Sequence, residues 1–262
     1  MGFARAGRAA ARDVALNTLR SVLDAVLAEI ADARCVHCGF PVDGGALCAI
    51  CAAVSVPLGA RCERCDGSVS APLARCGRCL DGFLRGLDSF RGASMYSGPY
   101  RSLILRGKHS SKRAWIEATA PLVVAAAERG ALPVDAFVPV PSHSRRWAAR
   151  GFNAAEIVAT MLARARGDTP VRSLLHRVRH EESLSSGASR SVRSRLVRAA
   201  FRVPPHVVVP SKVCLVDDVL TTGATLSACA LALRRAGAKE VHGWALLRAA
   251  DPFTAAAARE GR

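Results

Sequence analysis

VCLVDDVLTTGATLSA, Val213 to Ala228, decides how the rest of the chain is read. It opens with an unbroken apolar run, Val213 to Val216, the composition of a strand buried on both faces. Two adjacent carboxylates follow, Asp217 and Asp218, then a loop of small and hydroxylated residues, Thr221, Thr222, Gly223, Ala224 and Thr225. Beyond it, Leu226, Cys229, Ala230, Leu233 and Ala236 recur at the spacing of one helix face. Strand, tight loop and helix start in this order make an anion holder. The first N–H groups of a helix lack partners, glycine admits close approach, and threonine hydroxyls donate. Carboxylates repel phosphate, so the two acids suit vicinal hydroxyls, or a metal held beside them.

These residues closely resemble the phosphoribosyl pyrophosphate motif of type I phosphoribosyltransferases. The resemblance implies that Asp217 and Asp218 hold the ribose hydroxyls. It also implies that Thr221, Thr222, Gly223, Ala224 and Thr225 hold the 5′-phosphate, and that Mg²⁺ accompanies the pyrophosphate.

With 262 residues, half of them apolar, the chain can hold one medium domain and a smaller module. Aromatics are 5% of the chain, so Ala, Val and Leu must fill most of the core. A formal charge of +16 points to a polyanionic partner, whether nucleic acid, nucleotide or a membrane surface. From Asp13 to Ile30, the positions Leu16, Leu19, Leu23, Val26, Leu27 and Ile30 predict an amphipathic helix, so residues 1–34 form an N-terminal helical segment. Its polar interruptions exclude the apolar core of a signal peptide, and no apolar run approaches a membrane span. The expected compartment is the reducing cytoplasm.

The cysteines are placed for metal. Cys35 and Cys38, Cys48 and Cys51, Cys62 and Cys65, and Cys76 and Cys79 form four C-x-x-C pairs. Each pair can offer two thiolates from one tight turn, and four pairs make two Cys₄ sites of the structural zinc type. Consecutive pairing, a double zinc ribbon, is the simplest arrangement; spacing alone leaves an interleaved one open. Cys35 to Cys79 holds few apolar residues, so the metals are expected to supply most of its folding energy. The module spans residues 35–86.

Residues 87–262 change character. Strands are expected at Ser89–Tyr96, Ala136–Val140, Val171–Val178, Lys212–Val216 and Glu240–Leu246. Gly98-Pro99 reads as a turn, Tyr100–Arg106 as a helix leading to Lys108, and Ala114–Glu128 and Ala154–Arg166 as further helices. Between a strand and a helix, the loop SHSRRWAARGFN carries Ser142, His143, Arg145, Arg146 and Arg150, a cation density that favours an anion. His180 to Arg198, rich in Ser, Gly and Arg, reads as a mobile loop.

Taken in order, the paired cysteines, YSGPYRSLILRGKH, VPVPSHSRRWAARGFNAAE and VDDVLTTGAT resemble the ComF family of competence-associated phosphoribosyltransferase-like proteins. The likeness runs from Cys35 to about Arg248. It implies a parallel α/β sheet flanked by helices and preceded by a small zinc-ribbon module. It places Ser142, His143, Arg145, Arg146 and Arg150 at the pyrophosphate and Lys108 where the family has a basic residue. It implies a role in natural transformation, handling DNA taken up by the cell; with the +16 charge and the arginines around Arg145 and Arg193, the expected partners are single-stranded DNA and DNA-uptake or recombination proteins. In the stretch that forms the flexible hood of such enzymes, Arg193 matches a family arginine. Glu182, Ser185 and Leu196 depart from the family's Thr, Gln and Asn. Relatives that act on nucleobases place an acid where this chain has Thr221, a poor general base. Two classes therefore stand: a transferase that consumes phosphoribosyl pyrophosphate, and a non-catalytic zinc-ribbon protein that binds single-stranded DNA and uses the pocket as a ligand sensor.

Overall fold

The computed structural model describes residues 34–54, 60–71, 74–128, 133–167, 169–178 and 200–249. The expected N-terminal helix and the 180–198 loop, with Arg193, lie outside them, as does the side chain of Arg146. In chain order come α1 (Ala49–Ala53), α2 (Gly77–Leu80), β1 (Ser89–Met95), α3 (Gly98–Ser110), α4 (Ala114–Glu117), α5 (Ala120–Glu128) and β2 (Ala136–Pro139). Then follow α6 (Ser144–Arg150), α7 (Ala154–Ala165), β3 (His176–Arg177), β4 (Phe201–Arg202), β5 (Lys212–Leu220), α8 (Ala224–Arg235) and β6 (Glu240–Arg248).

Four strands make one sheet in the order β1-β6-β5-β2, and every neighbouring pair is parallel. The outer edge of β2 is not bare: Phe137 donates to the carbonyl of Pro170 at 2.9 Å and accepts from the N–H of Arg172 at 2.9 Å. Alternation in β5 divides the core. Val213 and Leu215 join the cluster that contains Leu226, Cys229 and Leu233 of α8, whereas Cys214 and Val216 join the one that contains Val158 and Leu162 of α7. A strand covered on both faces has no polar side, which is why its sequence is an apolar run rather than an alternation. Because all four strands are parallel, their carboxyl ends share one edge. The chain leaves β5 for α8 on one face and leaves β2 for α7 on the other, which opens a crevice between these two strands.

Several boundaries differ from the sequence reading, each for a local reason. Gly98-Pro99 is the first turn of α3, where proline's missing N–H is no loss. The helix expected over 114–128 is two, and Thr119, fully buried at the break, gives its hydroxyl to the Ile116 carbonyl at 2.6 Å. Residues 144–150 form a helix rather than a loop: His143 Nδ1 caps its start by accepting from the Arg145 N–H at 3.2 Å, and Gly151 closes it at φ 75°. The strand expected over 171–178 reduces to the bridge at Val171 and the two-residue β3.

The cysteine-rich part is docked on the domain. The turns after Cys35 and Cys62 repeat one geometry, with the Cys35 N–H bonded to the Phe40 carbonyl and the Cys62 N–H to that of Gly67. Their equivalent corner residues, Gly39 and Asp66, both have positive φ, 73° and 55°. Asp66 takes this uncommon conformation while 4% exposed, accepting from the Gly92 N–H of β1 at 2.8 Å and from Arg61 at 2.9 Å. Arg248, at the end of β6, donates to the Cys65 carbonyl at 2.5 Å. Cys62, Cys65 and Cys79 thus belong to the same core cluster as β5 and α8. Apolar burial, not metal alone, holds this half of the module. The first half rests on α3: Tyr100 donates its hydroxyl to the Ala52 carbonyl at 2.7 Å, and His37 meets Ser102 at 3.2 Å.

Candidate functional site

Strand β5 runs past its two acids to Leu220, because pairing with β6 continues through Asp217 opposite Ala245 and Val219 opposite Leu247. The acids therefore stand inside the carboxyl end of a central strand. They open onto a cleft of about 310 Å³ whose walls come from β5, the start of α8, the end of α3 and the 140–155 segment. Of the residues nominated by the sequence, Lys108, Ser142, His143, Arg150, Asp217, Asp218, Thr221 and Thr225 line it. Thr222, Gly223 and Ala224 line an adjoining hollow of about 230 Å³ with Gly82, Phe83, Leu84 and Arg85. Arg145 lies on the exposed side of α6 and is not among the lining residues.

Charge is ordered across the cleft. Lys108 reaches Asp218 with Nζ 2.6 Å from Oδ2. Arg150 holds that lysine's backbone by donating Nε to the Lys108 carbonyl at 3.0 Å, and Ser111 ties the end of α3 to Ala149 at 3.1 Å. Asp217 accepts from the Asp218 N–H at 2.9 Å. Burial, reinforced by the neighbouring Asp218 charge, pushes the Asp217 carboxyl up to about 8, and the N–H of Asp218 and the Lys108 ammonium pull it back only in part. The shift favours the neutral form of Asp217, while Asp218 pairs with Lys108. A protonated and an ionised carboxyl side by side can both donate to and accept from a pair of hydroxyls.

At the other end, α8 starts at Gly223, φ 74°, and its first turn presents Ala224 and Thr225. The Thr222 hydroxyl faces the Ala224 N–H at 3.4 Å. That hydroxyl accepts there, and the other N–H groups of the helix start are donors of the kind that suits an anion.

The sequence reading did not nominate Tyr96, Phe152, Asn153 or Arg177, all of which line the cleft. Asn153 caps α7 and gives its amide to the Val140 carbonyl at 3.0 Å, fixing both ends of the 140–153 loop. The capping residue just before an apolar helix was its available signal. Arg177, stacked over Phe201 at 5.3 Å, arrives from beyond β2 through chain topology, and nothing local in the sequence marks it.

The eight paired cysteines form two clusters, Cys35, Cys38, Cys48 and Cys51, and Cys62, Cys65, Cys76 and Cys79, with all sulfurs of each within 4.8 Å of one another. Pairing is consecutive. Sulfurs stand 3.7 Å apart for Cys38 and Cys48, 3.8 Å for Cys62 and Cys79, and 3.6 Å for Cys65 and Cys76. Those are edge lengths of a tetrahedron with metal–sulfur bonds of about 2.3 Å. The donor sets fit zinc, which would act there as a structural tie.

A parallel α/β domain with an acid pair and a glycine–threonine loop at its strand ends, carrying two docked Cys₄ clusters, has the fold of a phosphoribosyltransferase-like protein with zinc-ribbon modules. Comparison with known proteins narrows the class. The chain is 30% identical over 229 residues to Competence protein F of Haemophilus influenzae, covering 82% of this chain and 97% of that one. It is 31% identical over 207 residues to the DNA utilization protein YhgH of Salmonella typhi, covering 77% and 90%. This chain belongs to the ComF family. No protein-family model matches it. Among solved structures, the glutamine phosphoribosylpyrophosphate amidotransferase of B. subtilis aligns with a TM-score of 0.34 at 26% identity, over 47% of this chain and 24% of that one, a likeness too partial to build on. Among the described residues no helix is long and apolar enough to cross a membrane.

Proposed function

We propose that this chain binds phosphoribosyl pyrophosphate with Mg²⁺ in the cleft and serves the handling of DNA taken up or used by the cell, in the cytoplasm. The observation that carries the reading is the division of labour around one space: carboxyls on β5, donors at the start of α8, and two cations on its other walls, Lys108 of α3 and Arg150 of α6. The ribose sits at Asp217 and Asp218, the 5′-phosphate at the 221–225 turn, and the pyrophosphate toward Ser142, His143 and Arg150. Mg²⁺ would screen the pyrophosphate's charge. The chain's own part is to orient the sugar and hold its phosphates. The names of the relatives, a competence protein and a DNA utilization protein, support the cellular setting. The two Cys₄ clusters take one zinc each.

Calorimetry tests the ligand. Wild type should give heat with phosphoribosyl pyrophosphate in Mg²⁺ and with ribose 5-phosphate. Asp217→Asn with Asp218→Asn should weaken both while leaving the fold intact. No heat from wild type with either ligand would make the pocket an inherited relic.

The second reading is a single-stranded-DNA-binding protein that does not turn the ligand over. The +16 charge favours it, as does Trp147, 56% exposed on α6 near the cleft as a stacking face. Thr221 lines the cleft where a general base would be wanted. Pyrophosphate release with any amine or base acceptor would decide for the transferase.

A further inference from the structure

We infer that the second cysteine cluster is the back wall of the phosphate loop, so that metal at Cys62, Cys65, Cys76 and Cys79 and a phosphate at the start of α8 strengthen each other's binding, with Phe83 and Leu84 as the positioning residues between them. The inference rests on the phosphate-site reading above and adds a coupling to it.

Four observations carry it. Gly223, the pivot of the loop, lies directly on the module: a Cβ there would stand 2.7 Å from Leu84 Cδ2 and 3.0 Å from Phe83 Cε2. That close approach, with φ at +74°, leaves the loop no freedom to retreat while the wall stands. The wall is in turn held by the metal turns. Arg64, between Cys62 and Cys65, donates to the carbonyls of Phe83 at 2.8 Å, Leu84 at 3.3 Å and Leu87 at 2.9 Å. Arg78, between Cys76 and Cys79, lies over the Phe83 ring at 3.8 Å. Each C-x-x-C turn of this cluster therefore sends one arginine to the same corner. Lastly, Leu84 takes φ 54° while 2% exposed, a conformation that a leucine keeps only where its surroundings impose it.

The first cluster offers a contrast, since its contacts reach Tyr100 and Ser102 on α3, and among the described residues none of its hydrogen bonds is with residues 221–225. Loss of the second metal would free the turns from which Arg64 and Arg78 project. The 83–84 corner would then lose its anchors, and the loop its backing. Coupling between two sites is reciprocal, so the effect reads in either direction.

The test uses the full chain. In Cys38→Ser with Cys48→Ser, one zinc remains, at the second cluster. Competition with a chelator then gives its affinity with and without saturating ribose 5-phosphate, ribose serving as the control without phosphate. The expected result is an affinity for zinc about fivefold or more higher in the sugar phosphate, the lower range of ordinary allosteric couplings, and unchanged in ribose. Phe83→Ala should keep two zincs per chain when made in wild type and, when added to the Cys38→Ser, Cys48→Ser variant, should keep the one zinc and lose most of the coupling. Coupling that survives undiminished in Phe83→Ala would come from global folding rather than from this wall, and would overturn the inference. So would ribose 5-phosphate binding with no change in zinc affinity, which leaves the phosphate-site reading standing. No ribose 5-phosphate binding by wild type overturns both.

Discussion

Asp217 and Asp218 are neighbours with different electrical lives. Asp218 pairs with Lys108 at 2.6 Å, and burial, with the neighbouring Asp218 charge added to it, raises the Asp217 carboxyl to about 8. In the unfolded chain that carboxyl titrates near 3.8. Between these values the folded state binds a proton that the unfolded state has released. Stability therefore falls as pH rises from about 4 to about 8, and the loss is complete above it. Asp217→Asn fixes the neutral form. Its melting temperature should match wild type near pH 4 and exceed it near pH 9, each kcal/mol of relieved penalty being worth about 2–4 °C in a chain of this size. Parallel melting curves across pH would remove Asp217 as the titrating group. At the loop, Thr225→Val deletes one donor to a charged group. It should cost about 1.5–3 kcal/mol of ribose 5-phosphate binding by calorimetry, with little change in melting temperature.

Among the elements, the two cysteine turns show how one local structure acquires two fates. Among the described residues Gly39 has only local bonds at its corner, to Cys35 and Arg34, whereas Asp66 at the equivalent corner accepts from Gly92 and Arg61. Asp66→Ala should lower the melting temperature of the zinc-loaded protein by the loss of buried charged hydrogen bonds, about 1.5–3 kcal/mol, without changing its metal content. A melting curve like that of wild type would mean that the turn docks without it. Asp66 was invisible in the sequence because its role depends on a strand more than twenty residues away. The same logic separates what could be read from what could not. The apolar run of β5, the helix face of α8 and the C-x-x-C spacing are local patterns, and the elements they predicted are present. The strand's extension to Leu220 is imposed by the partner β6, and the consecutive pairing of cysteines by where the turns meet. α6 hid in a run of cations because its caps, His143 and Gly151, are short signals beside a strong charge pattern. Arg177 enters the cleft only through topology.

For the molecule as a whole, elemental analysis should find two zincs per chain. Cys62→Ser with Cys65→Ser should lose one and lower the melting temperature more than Cys35→Ser with Cys38→Ser. The reason is that Cys62 and Cys65, 0% and 1% exposed, lie in the core shared with α8. Equal losses from the two pairs would show that the second module is no more a part of the core than the first. Single-stranded DNA should bind with an affinity that falls as salt rises, by about 0.7 in the log–log slope for each phosphate neutralised. Binding indifferent to salt would exclude the charge-driven mode. One feature of the sheet also sets a timetable. Among the described residues β1, the first strand of the sheet to be made, pairs with β6, the last, and Ser89 bonds His242 across 153 positions of chain. At synthesis rates of about 5–20 residues per second, β1 and the second cysteine cluster leave the ribosome roughly 8–30 s before the strand that closes over them. Arg248, which donates to the Cys65 carbonyl, comes at the end of that strand, so on the nascent chain this cluster has first only its near neighbours, residues 83–92, to close against.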